Sequence, residues 1–432
     1  MNKNKITLSL AAALTLGIST STMAAGFQLA EYSATGLGRA FAGEAAMADN
    51  ASAQFRNPAM MTYLEGTQIS TGAIYVDPNI DVKGELSSPA APGMTIPTQA
   101  KDIAHSAVIP NFYISHRVNE QWAVGLAMAT NYGMETELGG EFLGTMFGNQ
   151  ANIMSVEINP NIAYKINEQL SVGAGVRYVM GEGHFGAAMP TVLGGDDLKY
   201  MEGDDTAWGW QLGAAWQINE RNRIGFNYRS AVDLKLKGEA SGLAYDKMAA
   251  MQNQQPSATY AGSLALTLPA TAEIASYHQL TDKLAMHASF NWTDWSSFDK
   301  LEANIPSLSP TPDLIKEENW KDNYRFAVGA TYQYTNKLAL RTGVAYDTSA
   351  VNDEHRTQTI PETDRLWLSL GAGYQWSDAL SFDAGFTYIF AKDASMSETE
   401  ELPINGNSTP VNFTGETTGN VWLVGIQANY KF

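Results

Sequence analysis

Apolar and polar residues alternate along most of this chain, and six short polar turns punctuate the alternation. The turns open at Asn119, Asn167, Asn219, Thr281, Thr335 and Ser377. After the first, Trp122, Val124 and Leu126 interleave with Ala123, Gly125 and Ala127. After the second, Leu170, Val172 and Ala174 interleave with Ser171, Gly173 and Gly175. After the last, Leu380, Phe382, Ala384 and Phe386 interleave with Ser381, Asp383 and Gly385. A period of two belongs to a β-strand, and a tight polar turn between two such runs makes an antiparallel hairpin. The turn openings lie 42 to 62 residues apart, room for two strands and one longer excursion. Short turns on one side and long loops on the other are the plan of an outer-membrane barrel.

With both barrel ends on the short-turn side, six turns imply fourteen strands. An even number is what a single-chain bacterial barrel requires. The expected strands lie near 66–77, 104–117, 121–137, 151–166, 170–188, 205–218, 222–239, 258–280, 282–304, 319–334, 337–348, 363–376, 379–394 and 418–432. Along each, one face is apolar and the other small or polar, the inverted arrangement of a barrel in lipid and the argument against a soluble β-rich protein. Three residues before each turn stands a ring: His116, Tyr164, Trp216, His278, Tyr332 and Tyr374. Rings at one level make an interfacial girdle. The last strand alternates most sharply: Trp422, Val424, Ile426, Ala428, Tyr430 and Phe432 face one way, and Leu423, Gly425, Gln427, Asn429 and Lys431 the other.

Composition sharpens the picture. Lys3 and Lys5 precede an apolar run from Ile6 to Ile18, and Thr22-Met23-Ala24 supplies small residues for cleavage, so residues 1–24 read as a secretory signal peptide. Beyond it, no apolar run approaches the ~20 residues of a membrane helix. There is no cysteine, so stability falls to ladder hydrogen bonds and closure. Without the leader, 25 basic residues face 45 acidic ones, which excludes a basic nucleic-acid-binding face. The acids concentrate in expected outer loops, at Asp196-Asp197, Glu202, Asp204-Asp205 and Glu398-Thr399-Glu400-Glu401. These read as solvated loops, with divalent bridging to lipid phosphates as the alternative.

Residues 25–65 carry Ala and Gly with little alternation, so they read as a partly helical hatch folded inside an all-β transmembrane barrel, residues 66–432. Asn57-Pro58-Ala59 marks a turn within it. Gly26-Phe27-Gln28-Leu29, Ser33-Ala34-Thr35-Gly36-Leu37-Gly38-Arg39-Ala40, Gly43-Glu44 and Arg56-Asn57-Pro58-Ala59 resemble the amino-terminal hatch of the long-chain fatty-acid channel family, FadL. The resemblance continues through Asn131-Tyr132-Gly133, Tyr228-Arg229-Ser230, Thr267-Leu268-Pro269, Trp295-Ser296, Tyr324-Arg325, Arg341-Thr342-Gly343 and Ile360-Pro361-Glu362-Thr363-Asp364-Arg365.

That resemblance implies a plugged fourteen-stranded barrel that takes up long-chain fatty acids. The ligand would pass from an outer groove to an apolar pocket, wait for the hatch to shift, and leave sideways through a wall gap. Asn131, Tyr132 and Gly133 match the kink that opens the gap. Phe27, Phe185 and Met201 match pocket-lining positions, and Lys316 a basic residue that pairs with the ligand carboxylate. A second basic partner has no match, since its position falls near Ala187. Neutral or aromatic hydrophobic compounds are therefore the alternative substrates. Implied partners are outer-membrane lipid, lipopolysaccharide and the barrel-assembly machinery, which reads a terminal aromatic such as Phe432. No cofactor or metal is implied.

An enzyme or an adhesin are the other classes. His105, His116, His184, His278, His287 and His355 are scattered, and neither a Gly-x-Ser-x-Gly elbow nor a His-Glu-x-x-His pair is present. A long hatch has no evident use in an adhesin.

Overall fold

The computed structural model describes residues 26–404 and 407–432; the leader expected over 1–24 lies outside them. Fourteen strands form one closed antiparallel wall. They are β1 (Thr67–Ser87), β2 (Thr95–Ala100 and Ala107–Arg117), β3 (Trp122–Ala129 and Gly133–Glu137), β4 (Gln150–Lys165) and β5 (Leu170–Ala188). Next come β6 (Asp197–Asn219), β7 (Asn222–Arg229 and Val232–Ser241), β8 (Tyr260–Leu268 and Thr271–Gln279) and β9 (Leu284–Thr293 and Lys300–Asn304). The wall continues with β10 (Asp313–Glu317 and Asn323–Gln333), β11 (Leu338–Asp347), β12 (Arg365–Gln375), β13 (Leu380–Ala391 and Ala394–Ile404) and β14 (Asn407–Lys431). β14 pairs with β1 from Gln68↔Lys431 to Ser87↔Asn412, which closes the wall.

The six turns share one device. The Asn119 side-chain oxygen accepts from the Gln121 and Trp122 amides, both at 2.9 Å, and Asn167 does the same for Gln169 and Leu170. Hydroxyls serve in the other half: Thr281 accepts from Leu284 at 3.0 Å, Thr335 from Leu338 at 3.1 Å and Ser377 from Leu380 at 3.2 Å. Such a side chain satisfies the amides that a tight turn would strand, which explains Asn, Thr or Ser at each opening.

Outward residues form an exposed apolar band that includes Trp122, Val124, Ile162, Leu212, Phe226, Phe326, Leu368, Phe386 and Ile426. In the expected girdle, Trp216, Tyr332 and Tyr374 are exposed, while Tyr164 stacks against Trp122 at 4.5 Å. Several strands run farther than the alternation indicates: β1 continues to Ser87, β6 begins at Asp197 and β14 at Asn407. In these extensions the apolar residues point inward, as Ile80, Val82 and Leu86 of β1 and Val411 and Phe413 of β14 do, and the outward face turns polar, so a reading keyed to an outward apolar face stops where lipid stops. The acids at Asp197, Glu202, Asp204 and Asp205 accordingly lie on β6, not in a loop.

Residues 26–65 sit inside the wall. They form a helical turn at Ala34–Leu37, capped by the Ser33 hydroxyl, a 3-10 turn at Glu44–Ala46, a helical turn at Ala53–Arg56 and a 3-10 helix at Pro58–Tyr63. Asn57 caps the last by accepting from the Ala59 amide at 3.0 Å, with Pro58 in the first position, where no amide is needed. The Asn57 amide donates to the carbonyls of Ala45 at 2.6 Å and Ala214 of β6 at 2.9 Å. The motif is thus a rivet between hatch and wall.

Small inward residues let the hatch lie directly on the strands. At Gly371 of β12 an added Cβ would stand 2.6 Å from Gly38 Cα, closer than atoms pack. Several buried charges are paired: Glu157 takes Arg177 at 2.9 Å and Arg229 at 2.6 Å, and Arg56 of the hatch meets Glu273 of β8 at 3.1 Å. Gly371→Val should therefore leave an assembled, heat-modifiable barrel, because the ladder is untouched, but unseat the hatch. Limited proteolysis of folded protein should then cut between residues 26 and 64 in the variant and spare the wild type.

Candidate functional site

The wall is broken at one place within the membrane-spanning part of β3. Between Ala129 and Gly133 the chain leaves the ladder, inside the strand expected over 121–137 and next to Asn131, Tyr132 and Gly133, where the resemblance implies a kink. The amino-terminal segment fills the break. The Leu29 amide donates to the Asn131 carbonyl at 2.8 Å, the Gly133 amide to the Phe27 carbonyl at 2.9 Å, and Gln28 bridges Tyr132. On the other side, Tyr132 bonds β4 through Ser155, whose amide donates to the Tyr132 carbonyl at 2.9 Å. Residues 27–29 thus act as a short strand that satisfies the backbone the kink exposes. The Asn131 side-chain amide is buried with no hydrogen-bond partner.

Phe27 anchors that segment. It is fully buried, with ring centroids 4.6 Å from Trp295, 5.6 Å from Phe298, and 6.1 Å from both Tyr132 and Trp320. The Tyr132 hydroxyl donates to the Pro269 carbonyl at 2.8 Å, where β8 is itself interrupted, and the Thr293 hydroxyl donates to Gln28 at 2.8 Å. Phe27, Asn131, Tyr132 and Gly133 therefore form one assembly. Alternation alone carries no signal for the aromatic cluster of Trp295, Phe298 and Trp320, whose members are scattered over a stretch of ordinary aromatic content.

Phe185 and Met201 line a small neighbouring cavity of about 20 Å³. They face each other across β5 and β6, and Leu236, Leu264, Leu301, Ile305 and Ile315 complete its apolar lining. One continuous apolar cluster joins this lining to the rings around Phe27. Lys316 stands opposite the lining residue Leu301 across the β9–β10 pair and is not itself part of the lining. Its ammonium is bonded to the Glu398 carboxylate. Burial works against the Lys316 charge, but Glu398 outweighs it and holds the ammonium above the ordinary lysine pKa. Glu398 was expected among solvated loop acids; it is buried, because β13 continues past the membrane and turns this side chain inward. Asn57, Pro58 and Ala59 lie elsewhere, on the β5–β6 side of the hatch. Among the described residues, no group of three or more His, Asp or Glu is arranged to hold a metal ion.

A closed fourteen-stranded barrel with an apolar outer band and a lumen filled by its own amino-terminal segment has the architecture of a plugged outer-membrane channel. The sequence pattern described as "Outer membrane protein transport protein (OMPP1/FadL/TodX)" matches residues 15–432, and the chain belongs to that family. It is similar to the 47 kDa outer membrane protein of Pasteurella multocida, 39% identical over 99% of both chains. It is also similar to the long-chain fatty acid transport protein of Escherichia coli K12, 32% identical over 99% of this chain and 98% of that one. A crystal structure of a Pseudomonas aeruginosa FadL homologue superposes with a TM-score of 0.83 at 25% identity, covering 94% of this chain and 100% of the other. The family is one of transport channels, not enzymes.

Phe27→Ala should loosen the amino-terminal segment, since it deletes the ring that all four aromatic neighbours touch. Hydrogen exchange at the Leu29 and Gly133 amides should then quicken by about ten-fold or more while exchange along β14 stays as slow as before.

Proposed function

We propose that this protein carries long-chain acyl compounds inward across the outer membrane, through the apolar cavity and out sideways through the wall at β3. The observation that carries the reading is the pairing of Phe27–Leu29 with Asn131–Gly133. The break in the wall is stoppered by a segment that can leave without opening the barrel ladder. Fatty acids are the reference substrates, because relatives at 32% identity are named for their transport.

Energetics favour this route over the lumen axis. An acyl chain gains about 0.8 kcal/mol per methylene kept out of water. A path from the Phe185–Met201 cavity past the rings around Phe27 keeps it dry, and a gap at Tyr132 would deliver it to lipid. The lumen axis, by contrast, is crossed by buried charges: Arg39 paired with Glu44 at 2.6 Å, Arg325 with Asp347 at 3.0 Å and Arg341 with Asp383 at 2.6 Å. Displacing these to make a central pore would strand buried charge.

Gly133→Val is the direct test. A Cβ at Gly133 already stands 3.1 Å from Leu29 Cδ1, and a β-branched side chain fills what remains of the gap. Uptake of labelled oleic acid by cells should fall about ten-fold or more at normal surface levels, while purified protein keeps its affinity for the ligand. Undiminished uptake would move the exit elsewhere.

A further inference from the structure

Two residues after the segment that fills the β3 break, the hatch buries a carboxyl group in a knot of charges. Glu31 is 1% exposed, and its Oε2 has no hydrogen-bond partner. Arg325 of β10 and Arg365 of β12 act on it through space, and Asp347 of β11 and Glu362 of the β11–β12 loop complete the knot. All five side chains are buried, and three carboxyl groups meet two guanidinium groups. Asp347 has Arg325 at 3.0 Å and the Trp367 indole at 2.7 Å. Glu362 accepts on one oxygen from the Ser349 hydroxyl at 2.5 Å and from the amides of Ala350 at 3.0 Å and Val351 at 3.4 Å. Glu31 has the backbone amides of Ala30 and Glu31 and no side-chain donor. The other charges near this stretch are matched: Arg56, over the Tyr32 ring at 5.5 Å, pairs with Glu273, and Arg39 pairs with Glu44 at 2.6 Å and Asp49 at 2.7 Å. A cavity of about 40 Å³ has Gln28 and Leu29 in its lining together with Arg325 and Asp347. A water needs about 10–15 Å³, so segment and knot share a space that can be hydrated.

We propose that Glu31 is a proton-operated latch: neutral, it lets the amino-terminal segment lie sealed in the β3 break, and ionised, it drives the segment out. An ionised carboxylate with a bare oxygen is costly to bury, and two guanidinium groups shared with Asp347 and Glu362 do not neutralise a third acid. Moving residues 27–31 into water removes that cost. Burial pushes the Glu31 carboxyl up to about 7, beyond what the backbone amides, Arg325 and Arg365 pull back. Burial raises the Glu362 carboxyl as well, against Arg365, Ser349 and the two amides. In the released segment Glu31 regains its ordinary value of 4.5. The seat then holds more protons than the released state between these values. Its stability is full below the lower value, falls as pH rises toward the upper one, and is level beyond it. The wall stays shut in acid and loosens toward neutral pH. The bearing of this latch on transport rests on the β3 route.

Hydrogen exchange of the purified full barrel, without ligand, tests the latch. Protection factors, corrected for the intrinsic effect of pH, are compared at pH 5 and pH 8. Protection of the Leu29 and Gly133 amides should fall about ten-fold or more across this range, while that of β14 stays level. Glu31→Gln keeps the shape and removes the charge, so protection at both amides should stay high at both pH values. Glu362→Gln should leave the fall in place. Level protection in the wild type, or an undiminished fall in Glu31→Gln, overturns the latch. If Glu31→Gln fails to assemble, Glu362→Gln decides: loss of the fall there would give the titration to Glu362 and overturn the proposal. Because no substrate is present, a failed latch shows separately from a failed β3 route, which the uptake assay of Gly133→Val reads.

Discussion

In lipid, a backbone amide or carbonyl without a partner costs several kcal/mol, and every part of this structure answers to that constraint. The wall meets it by closing β14 onto β1 along the full length of β1. The six turns meet it with side-chain oxygens at Asn119, Asn167, Asn219, Thr281, Thr335 and Ser377. Within the membrane-spanning part of β3 the wall does not meet it alone. There the Asn131 carbonyl and the Gly133 amide are completed by the amino-terminal segment. A barrel strand and a hatch segment share one ladder, so the same hydrogen bonds hold the segment and complete the wall.

The interior follows from the same economy of space. Because the hatch fills the lumen, inward positions must be small where backbone meets backbone, as at Gly38 and Gly371, and charged where they can be paired, as at Glu157 and Glu273. What is left unfilled is apolar and lies to one side, between Phe185, Met201 and the rings around Phe27. This asymmetry separates a polar part of the hatch, riveted around Asn57, from an apolar part at Phe27–Leu29 that is held by aromatic rings and by the β3 ladder. Transport through the proposed route would disturb the second and spare the first.

Much of the fold was legible because its determinants are local. Period-two alternation and turn residues specify fourteen strands without knowledge of any contact, and the apolar face of β14 emerges as read. The strand extensions beyond lipid were missed because their outward face turns polar, although Ile80, Val82 and Leu86 keep an inward period of two in β1. The break at Thr130–Tyr132 leaves no mark in the alternation: the residues alternate well enough for a strand, and only the resemblance at Asn131-Tyr132-Gly133 implies a kink there, while the partner that completes the ladder lies a hundred residues earlier in the chain. Lys316 illustrates the general limit. Its residue type and setting suggest an anion site, yet its meaning is set by Glu398, 82 residues away, which sequence spacing places in a solvated loop.

The central claim is that residues 27–29 must leave the β3 gap for substrate to pass. The chain contains no cysteine, so Gln28→Cys with Tyr132→Cys introduces a single pair at positions that already bridge. Directly opposed strand residues lie within the Cα spacing a disulfide requires. With the disulfide formed, cells should bind labelled oleic acid but fail to take it up, and a reductant should restore uptake to the rate of the unlocked protein. Uptake by the oxidised form at the reduced rate would contradict the account, because substrate would then be crossing with the wall still sealed.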